Sequence, residues 1–177
     1  WRGSTRATVA GMGETLGRTS DPGTSQENVR ARLRDLTLMG VTNALGGIVL
    51  STGNKSEMSV GYATLYGDMN GGFNPLKSVY KSDAFRMAEW RNTITVLAQG
   101  PVIADPIPTG IITRPPSAEL AEGQTDQASL GDYDILDAVL YALIEQKADA
   151  PMAARIITAQ FGKDDVWKRT GGYNPEP

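Results

Sequence analysis

The sequence contains no cysteine and no histidine among its 177 residues. The lack of cysteine excludes disulfides, thiolate nucleophiles and metal sites built on cysteine sulfur. The lack of histidine excludes the Ser-His-Asp triad and histidine-based zinc sites. Any bound metal is therefore expected to be a hard cation held by oxygen atoms, with Mg²⁺ as the first choice. Acid–base chemistry falls to Asp, Glu, Lys or Tyr.

Long apolar runs and an excess of positive charge are missing too. No apolar run is long enough to span a membrane, so we expect no membrane partner. The 17 basic and 20 acidic residues give a formal net charge of −3, which argues against a nucleic-acid binder. The chain begins at Trp1 without a signal peptide, so we expect a cytoplasmic protein. A start without Met indicates a piece of a longer polypeptide or an incomplete start.

The length favours one domain that buries a core of its own. Residues 1–23 are weakly patterned, and we interpret them as a connector, so the domain covers residues 24–177. Its first helix is predicted to begin at Thr24, which has capping-box spacing with Glu27. Apolar residues then recur with the helical period until Gly46-Gly47 ends the helix.

A short β-branched run at residues 47–52 predicts a strand that is buried on both faces, as in a parallel sheet. Its polar end meets a loop, after which Ser56 is expected to cap a helix that runs to Tyr66. Ligands of open α/β sheets bind at the carboxyl ends of strands, so Thr52 lies in a candidate binding corner. Glu57 either complements the helix dipole or is held ready for a cation or a ribose hydroxyl.

Weaker patterns organise the rest of the chain. The spacing predicts helices over residues 82–97, 136–143 and 151–160. The prolines of residues 101–116 predict an extended connector, and residues 121–132 are expected to form a polar loop.

Single polar residues leave two readings open. Asn28, Arg32 and Asp35 share one face of the first helix, which is more often a solvated face than a binding face. Lys81 suits a phosphate but is equally a surface lysine, and Ser117 suits a helix cap. The residue patterns alone therefore predict an α/β domain with a strand end that suits an anionic ligand. They do not identify a reaction.

Three stretches resemble the glutamine-dependent NAD synthetases. Residues 27–34 (ENVRARLR) resemble that family's ENxxARxR helix. Residues 50–68 contain TGNKSE followed by GYATLYGD, and residues 112–120 (ITRPPSAEL) are followed by QTD at residues 124–126. The order and the spacing agree with the family, and the similarity covers about residues 24–147. The long TGNKSE–YGD block is far more specific than a lone glycine-rich motif.

The resemblance implies a partial α/β domain with a Rossmann-like parallel sheet and flanking helices, of the ATP-pyrophosphatase or adenine nucleotide alpha hydrolase type. It implies a ligase that adenylylates the nicotinate carboxylate of deamido-NAD with ATP and Mg²⁺. Ammonia delivered from a glutaminase domain then forms the amide of NAD, with AMP and pyrophosphate as the other products. The resemblance also favours a homo-oligomer.

Roles follow from the resemblance one position at a time. The ATP contacts would be Thr52, Lys81 and Ser117. The deamido-NAD contacts would be Asn28, Arg32, Glu57, Asp68 and Lys168, and Glu57 would also lie at the metal. Lys168 either belongs to the family's lysine-bearing tail or lies in the helix that precedes that tail. Leu65 stands where ammonia-dependent members have a lysine, so it is assigned no ligand.

One family motif is absent from the sequence. The phosphate loop SGG-x-DS does not occur, and the resemblance places it, like the glutaminase domain, before residue 1. We therefore expect the 177-residue chain alone to be catalytically inactive, because no nest of backbone N–H groups holds pyrophosphate. The alternative reading is a non-catalytic nucleotide-binding or assembly subunit of the same fold.

Overall fold

The structure is a computed structural model that describes residues 2–16, 23–94, 103–120 and 123–169. The chain forms two compact units, the first from residues 1–78 with 119–124 and the second from residues 79–118 with 125–177. The helices of the described ranges are α1 (Arg2–Leu16), α2 (Thr24–Leu45), α3 (Lys55–Ser59), α4 (Lys81–Thr93), α5 (Thr109–Thr113), α6 (Asp126–Leu130), α7 (Tyr133–Ile144), α8 (Ala150–Phe161) and α9 (Lys163–Arg169). None of the helices described is long and apolar enough to cross a membrane.

The first unit is built on α2, which begins and ends where the apolar period predicts. Gly46 closes it in the left-handed conformation, with φ of 70°, which glycine adopts at little cost. The predicted capping box is wrong, because the residue that caps the helix is Gly23 and no side chain caps it. The Gly23 carbonyl accepts the backbone N–H of Glu27 at 3.3 Å, so Thr24 is already inside the helix.

Helix α1 occupies a segment for which the sequence pattern predicted no element. It packs against α2, and Thr5 is buried with 2% of its surface exposed. Its apolar periodicity is weak, so the contact with α2 rather than intrinsic propensity stabilises it. The rest of the proposed connector, residues 17–22, lies outside the described residues, and the boundary at residue 23 stays a prediction.

The predicted buried strand is not found in the described part of the chain, where Leu50 and Phe73 form one isolated parallel bridge. The Ser51 N–H donates to the Phe73 carbonyl at 3.0 Å. Ile48 and Leu50 are 62% and 57% exposed, so the expected burial on both faces is wrong for these residues. A strand is buried on both faces only when layers cover it, and here a single loop segment pairs with this run.

Gly71 allows the two segments of this bridge to come close. A Cβ atom on Gly71 would lie 2.7 Å from the backbone nitrogen of Ser51. We expect Gly71→Ala to lower the free energy of unfolding by about 1–3 kcal/mol, because the backbone has to move apart. Urea denaturation measures the change.

Gly40 provides the matched control for Gly71. It lies inside α2, where an added Cβ atom would meet nothing within 4 Å. Gly40→Ala is expected to raise the free energy of unfolding by about 0.5–1 kcal/mol, because glycine is a poor helix former. A Gly71→Ala protein as stable as the parent would contradict the close approach.

Several elements begin or end differently from their sequence predictions. Helix α4 begins at Lys81 and ends at Thr93, where Ile94 is already extended, so the predicted helix was too long; residue 97 lies outside the described residues. Helix α5 interrupts the predicted extended connector after Pro108. Helix α6 lies in the predicted polar loop. Both α5 and α6 are five-residue helices. A proline that precedes a helix does not prevent a single helical turn, and neither does a short polar segment.

The second unit has its core where α7, α8 and α9 meet. Ile135, Ile157 and Val166, one from each helix, are buried together. Helices α7 and α8 were both predicted from their apolar stripes. Asp132 caps α7 and Asp149 caps α8. In each case the aspartate side chain accepts a hydrogen bond from a backbone N–H group at the helix start. The core contacts hold α7 in place, and α7 is the helix on which α4 packs.

Candidate functional site

The polar corner after residue 51 is organised by a capping box. The Asn54 side chain accepts the backbone N–H of Glu57 at 3.0 Å, and Glu57 Oε2 accepts the backbone N–H of Asn54 at 3.2 Å. The predicted cap at Ser56 is wrong, since Ser56 lies inside α3 and is fully buried. Helix α3 ends at Ser59 and does not reach the predicted Tyr66. Glu57 is thus held at the helix start, and Thr52, five positions earlier in the sequence, is exposed.

Three of the predicted deamido-NAD residues contact the turn at Thr64-Leu65. Asn28 and Arg32 reach it from one face of α2, and Asp68 contacts it from within the same loop. The Thr64 hydroxyl donates to Asn28 Oδ1 at 2.9 Å. The Thr64 backbone N–H donates to Asp68 Oδ1 at 2.7 Å. Arg32 Nε donates to the Leu65 carbonyl at 3.1 Å. Asn28 and Arg32 are four positions apart and contact adjacent residues of the turn. Their predicted place on one face of the helix is therefore confirmed.

Further contacts hold residues 64–70, here called the anchor loop, against the same helix. Asn70 donates to Asp35, whose side chain is buried. A Cβ on Gly67 would lie 3.0 Å from the Ala31 Cβ, so this glycine gives the loop its close approach to α2. The anchor loop therefore contacts the face that the sequence alone favoured as solvated, and Arg32 on that face is still exposed.

Lys81 is the first residue of α4 in the second unit. Its ammonium nitrogen lies 5.4 Å from the centre of the Tyr133 ring, within the range of a cation–π contact. The next residue, Ser82, donates its N–H to Asp137 at 2.8 Å and also its hydroxyl to the same carboxylate. Asp137 is 6% exposed, so a buried acid of α7 fixes the start of α4.

Ser117 lies in the second unit and is half-buried. The residue before it, Pro116, accepts the backbone N–H of Asp126 at 2.9 Å. Asp126 in turn accepts the Tyr133 hydroxyl at 2.9 Å. The segment that carries Ser117 is thus connected through Asp126 to the ring on which Lys81 lies.

Lys168 is exposed on α9. Its neighbour Arg169 binds Asp132 at 2.9 Å and Asp134 at 3.6 Å. The hydrogen bond to Asp132 holds the pKa of Arg169 above its ordinary value. These contacts tie the end of α9 to the start of α7, and the role of Lys168 stays a prediction.

The predicted residues fall into two sets according to their unit. The first unit contains Asn28, Arg32, Thr52, Glu57 and Asp68, and the second contains Lys81, Ser117 and Lys168. The sequence reasoning missed the residues that hold these side chains in place, namely Thr64, Asp126, Tyr133 and Asp137. Of these, Thr64 and Asp126 stood in motifs that the family resemblance already contained.

Glu57 is the predicted metal ligand. Among the described residues no three acidic side chains gather in a group that could hold a metal ion by themselves. The capping box already uses Oε2 of Glu57, which accepts the backbone N–H of Asn54. Mg²⁺ is commonly bound by one or two carboxylates together with phosphate oxygens. The donor set therefore fits a metal that is shared with a nucleotide and does not fit a cage made by protein alone.

Comparisons with known proteins support the family that the motifs predicted. The model of the NAD synthase family matches residues 5–166. The glutamine-dependent NAD(+) synthetase of Acinetobacter baylyi is 54% identical over 144 residues, which are 81% of this chain and 25% of that protein. The same enzyme of Xanthomonas campestris pv. campestris is 47% identical over 147 residues, 83% of this chain and 25% of that protein.

A solved structure agrees with these matches. The glutamine-dependent NAD+ synthetase of Acinetobacter baumannii in complex with ADP has a TM-score of 0.54 and 40% sequence identity, covering 94% of this chain and 27% of that one. The chain spans about a quarter of the length of the curated relatives that it matches. The family match over most of the chain, with its motifs assembled on α2 and the anchor loop, shows that this protein belongs to the NAD synthase family.

Proposed function

We propose that this chain supplies the acyl-adenylating part of a glutamine-dependent NAD synthetase. The nicotinate carboxylate of deamido-NAD attacks the α-phosphorus of ATP, and pyrophosphate leaves. Ammonia released from glutamine by a glutaminase domain attacks the acyl carbon of the adenylate, and AMP leaves as the amide of NAD forms. Such chemistry depends on positioning and charge neutralisation more than on a histidine base, so a chain without histidine or cysteine suits it.

The observation that carries this proposal is the contact group of Asn28, Arg32 and Asp68 around the anchor loop. The three side chains come from two motifs of the family, and the loop fixes each through one polar atom. The amide of Asn28, the carboxylate of Asp68 and the guanidinium of Arg32 each have further polar atoms that suit a dinucleotide. Prior fixing of such side chains lowers the entropy cost of binding.

Arg32 offers the sharpest test of the dinucleotide role. Arg32 is exposed, and its contact with Leu65 uses Nε alone, whereas the terminal guanidinium nitrogens suit a phosphate. We expect Arg32→Gln to weaken the binding of deamido-NAD about ten-fold or more, because a charge-assisted hydrogen bond is lost. Isothermal titration of the 177-residue chain with deamido-NAD measures this.

Arg155, an exposed arginine of α8, provides the matched control. Arg155→Gln removes the same charge and is expected to leave the affinity unchanged. Equal affinities in the parent and both variants, or no binding of deamido-NAD by the parent chain, would overturn the proposed role.

On the ATP side, the proposal gives Thr52, Lys81 and Ser117 contacts with the nucleotide. The Lys81 ammonium would neutralise phosphate charge, and the two hydroxyls would donate hydrogen bonds. Glu57 would hold Mg²⁺, which when bound offsets the negative charge of the phosphates. The helix start positions the Glu57 carboxylate through the capping box before any ligand arrives.

The finer features of the fold and the assembly belong to the same proposal. We infer that the complete synthase domain contains a Rossmann-like parallel sheet, since the pairing of Leu50 with Phe73 is parallel. Further layers of that domain would cover Ile48 and Leu50, which are exposed in this chain. We also infer a cytoplasmic homo-oligomer, with residues 24–177 as the carboxy-terminal part of the synthase domain. Light scattering of the purified chain measures the oligomeric state.

The non-catalytic alternative makes a different prediction about the gene. It requires a natural chain that begins near Trp1, whereas the enzyme requires an SGG-x-DS phosphate loop before it. Sequencing of the gene upstream of the Trp1 codon decides between them.

A further inference from the structure

Asp126 has a feature that the proposed function leaves unexplained. Its side chain is 2% exposed, and Oδ1 is buried without a hydrogen-bond partner in the part of the chain that the structure describes. A buried polar oxygen without a partner costs free energy, and native proteins keep few such atoms. The other oxygen, Oδ2, accepts the Tyr133 hydroxyl at 2.9 Å.

Tyr133 connects this acid to the lysine that the resemblance assigns to ATP. The ring is 8% exposed, and the Lys81 ammonium lies 5.4 Å from its centre. A hydroxyl held by a carboxylate fixes the ring against tilting. The nearby negative charge also adds to the attraction between the ring face and a cation. Both effects act on the position of the Lys81 ammonium.

The backbone of Asp126 reaches the second residue assigned to ATP in this unit. Its N–H donates to the carbonyl of Pro116 at 2.9 Å, directly before Ser117. One residue thus contacts both the ring beneath Lys81 and the segment that carries Ser117. In the sequence it lies 45 positions after Lys81 and 9 positions after Ser117.

We propose that Asp126 is a positioning residue for ATP, acting through Tyr133 on Lys81 and through its backbone on the Ser117 segment. The inference rests on the proposed function for the identity of the ligand. Lysine has a flexible stem with a large rotamer entropy, so a fixed aromatic surface beneath its ammonium lowers the cost of ordering it when phosphates bind.

A mutant cycle tests whether Asp126 acts through Lys81. Asp126→Asn keeps the shape and weakens the hydrogen bond to Tyr133, and we expect it to weaken ATP–Mg²⁺ binding about 5–10-fold. In a Lys81→Met background the same substitution is expected to change the affinity by less than about two-fold, because residues that act as one unit are not additive. Isothermal titration gives the four affinities.

Tyr133→Phe provides a second variant should Asp126→Asn fail to fold. It keeps the ring and removes the hydroxyl, and it is expected to reproduce the loss in ATP affinity. Asp164→Asn, on the exposed side of α9, is the matched control and is expected to leave the affinity unchanged. Equal fold-changes for Asp126→Asn with and without Lys81 would show a general structural role and overturn the proposal.

A spectroscopic measurement keeps this inference separate from the proposed function. Protons of the Lys81 side chain next to the Tyr133 ring face are expected to be shifted upfield by the ring current, and Lys81→Met identifies their signal in a ¹³C–¹H spectrum. Asp126→Asn and Tyr133→Phe are expected to move that signal toward the position of a solvated lysine. An unmoved signal would overturn the positioning role even if ATP binds, whereas a moved signal in a chain that binds no ATP would refute only the proposed function.

Discussion

Replacing Ile157 with alanine is expected to lower the free energy of unfolding by about 2–5 kcal/mol, as large-to-small changes in a core do. Ile157 of α8 is 3% exposed and packs with Ile135 and Val166. These three side chains come from three different helices. The helices cannot all move inward to fill the cavity that the alanine leaves. Urea denaturation followed by circular dichroism measures the loss.

The matched control makes the same chemical change at the surface. Ile111 of α5 is 64% exposed, and Ile111→Ala is expected to change the free energy of unfolding by less than about 0.5 kcal/mol. If both alanine variants lose the same stability, the core does not lie where α7, α8 and α9 meet.

The helices with strong apolar stripes could be predicted from the sequence, because burial of one face leaves a 3.6-residue period. Helix α2 begins and ends within one residue of its prediction, and α7 and α8 include the predicted spans. Helix α1 could not be predicted in this way, since alanine, threonine and glycine give little periodicity. Its helical state depends on packing against α2, a contact that no local pattern shows.

The strand at residues 47–52 shows the opposite error. Its apolar, β-branched composition is typical of a buried strand, but burial depends on the layers that cover it. In the described chain one loop segment pairs with it, through Leu50 and Phe73, and Ile48 stays exposed. The apolar, β-branched composition therefore agrees with the parallel pairing at Leu50. The burial that was predicted from the same composition is wrong.

The geometry of the candidate site could be predicted only in part from the sequence. The shared face of Asn28 and Arg32 follows from helical spacing, and it is confirmed. The partner of that face, the turn at Thr64-Leu65, lies more than 30 residues away in the sequence. It stands in the GYATLYGD motif, but no local pattern pairs it with α2. Glu57 lies in the first turn of α3, as the helix-dipole reading expects, and it also forms a capping box with Asn54 that was not predicted. Its role as a metal ligand stays a prediction.

Asp137 is expected to give the second large effect, because it fixes the helix start that carries Lys81. Its carboxylate accepts both the N–H and the hydroxyl of Ser82 from a buried position on α7. Asp137→Ala leaves these two donors without their acceptor, and we expect the free energy of unfolding to fall by about 3 kcal/mol. The negative charge also lies at the amino end of α4, where it favours the helix dipole.

Amide hydrogen exchange distinguishes a local effect from a general loss of stability. In Asp137→Ala the Ser82 amide is expected to lose more protection than the amides of α8, since the start of α4 opens without the rest of the unit. Asp137→Asn retains an oxygen acceptor and is expected to lose less than half as much stability. In Asp137→Ala we expect the Lys81 ammonium to leave the Tyr133 ring, because Lys81 is the first residue of α4. Under the proposed contact of Lys81 with ATP, the affinity for ATP–Mg²⁺ is then expected to fall together with the protection of the Ser82 amide. Full protection of the Ser82 amide in Asp137→Ala would show that another group holds this helix start, and the link from the core of the second unit to Lys81 would be wrong.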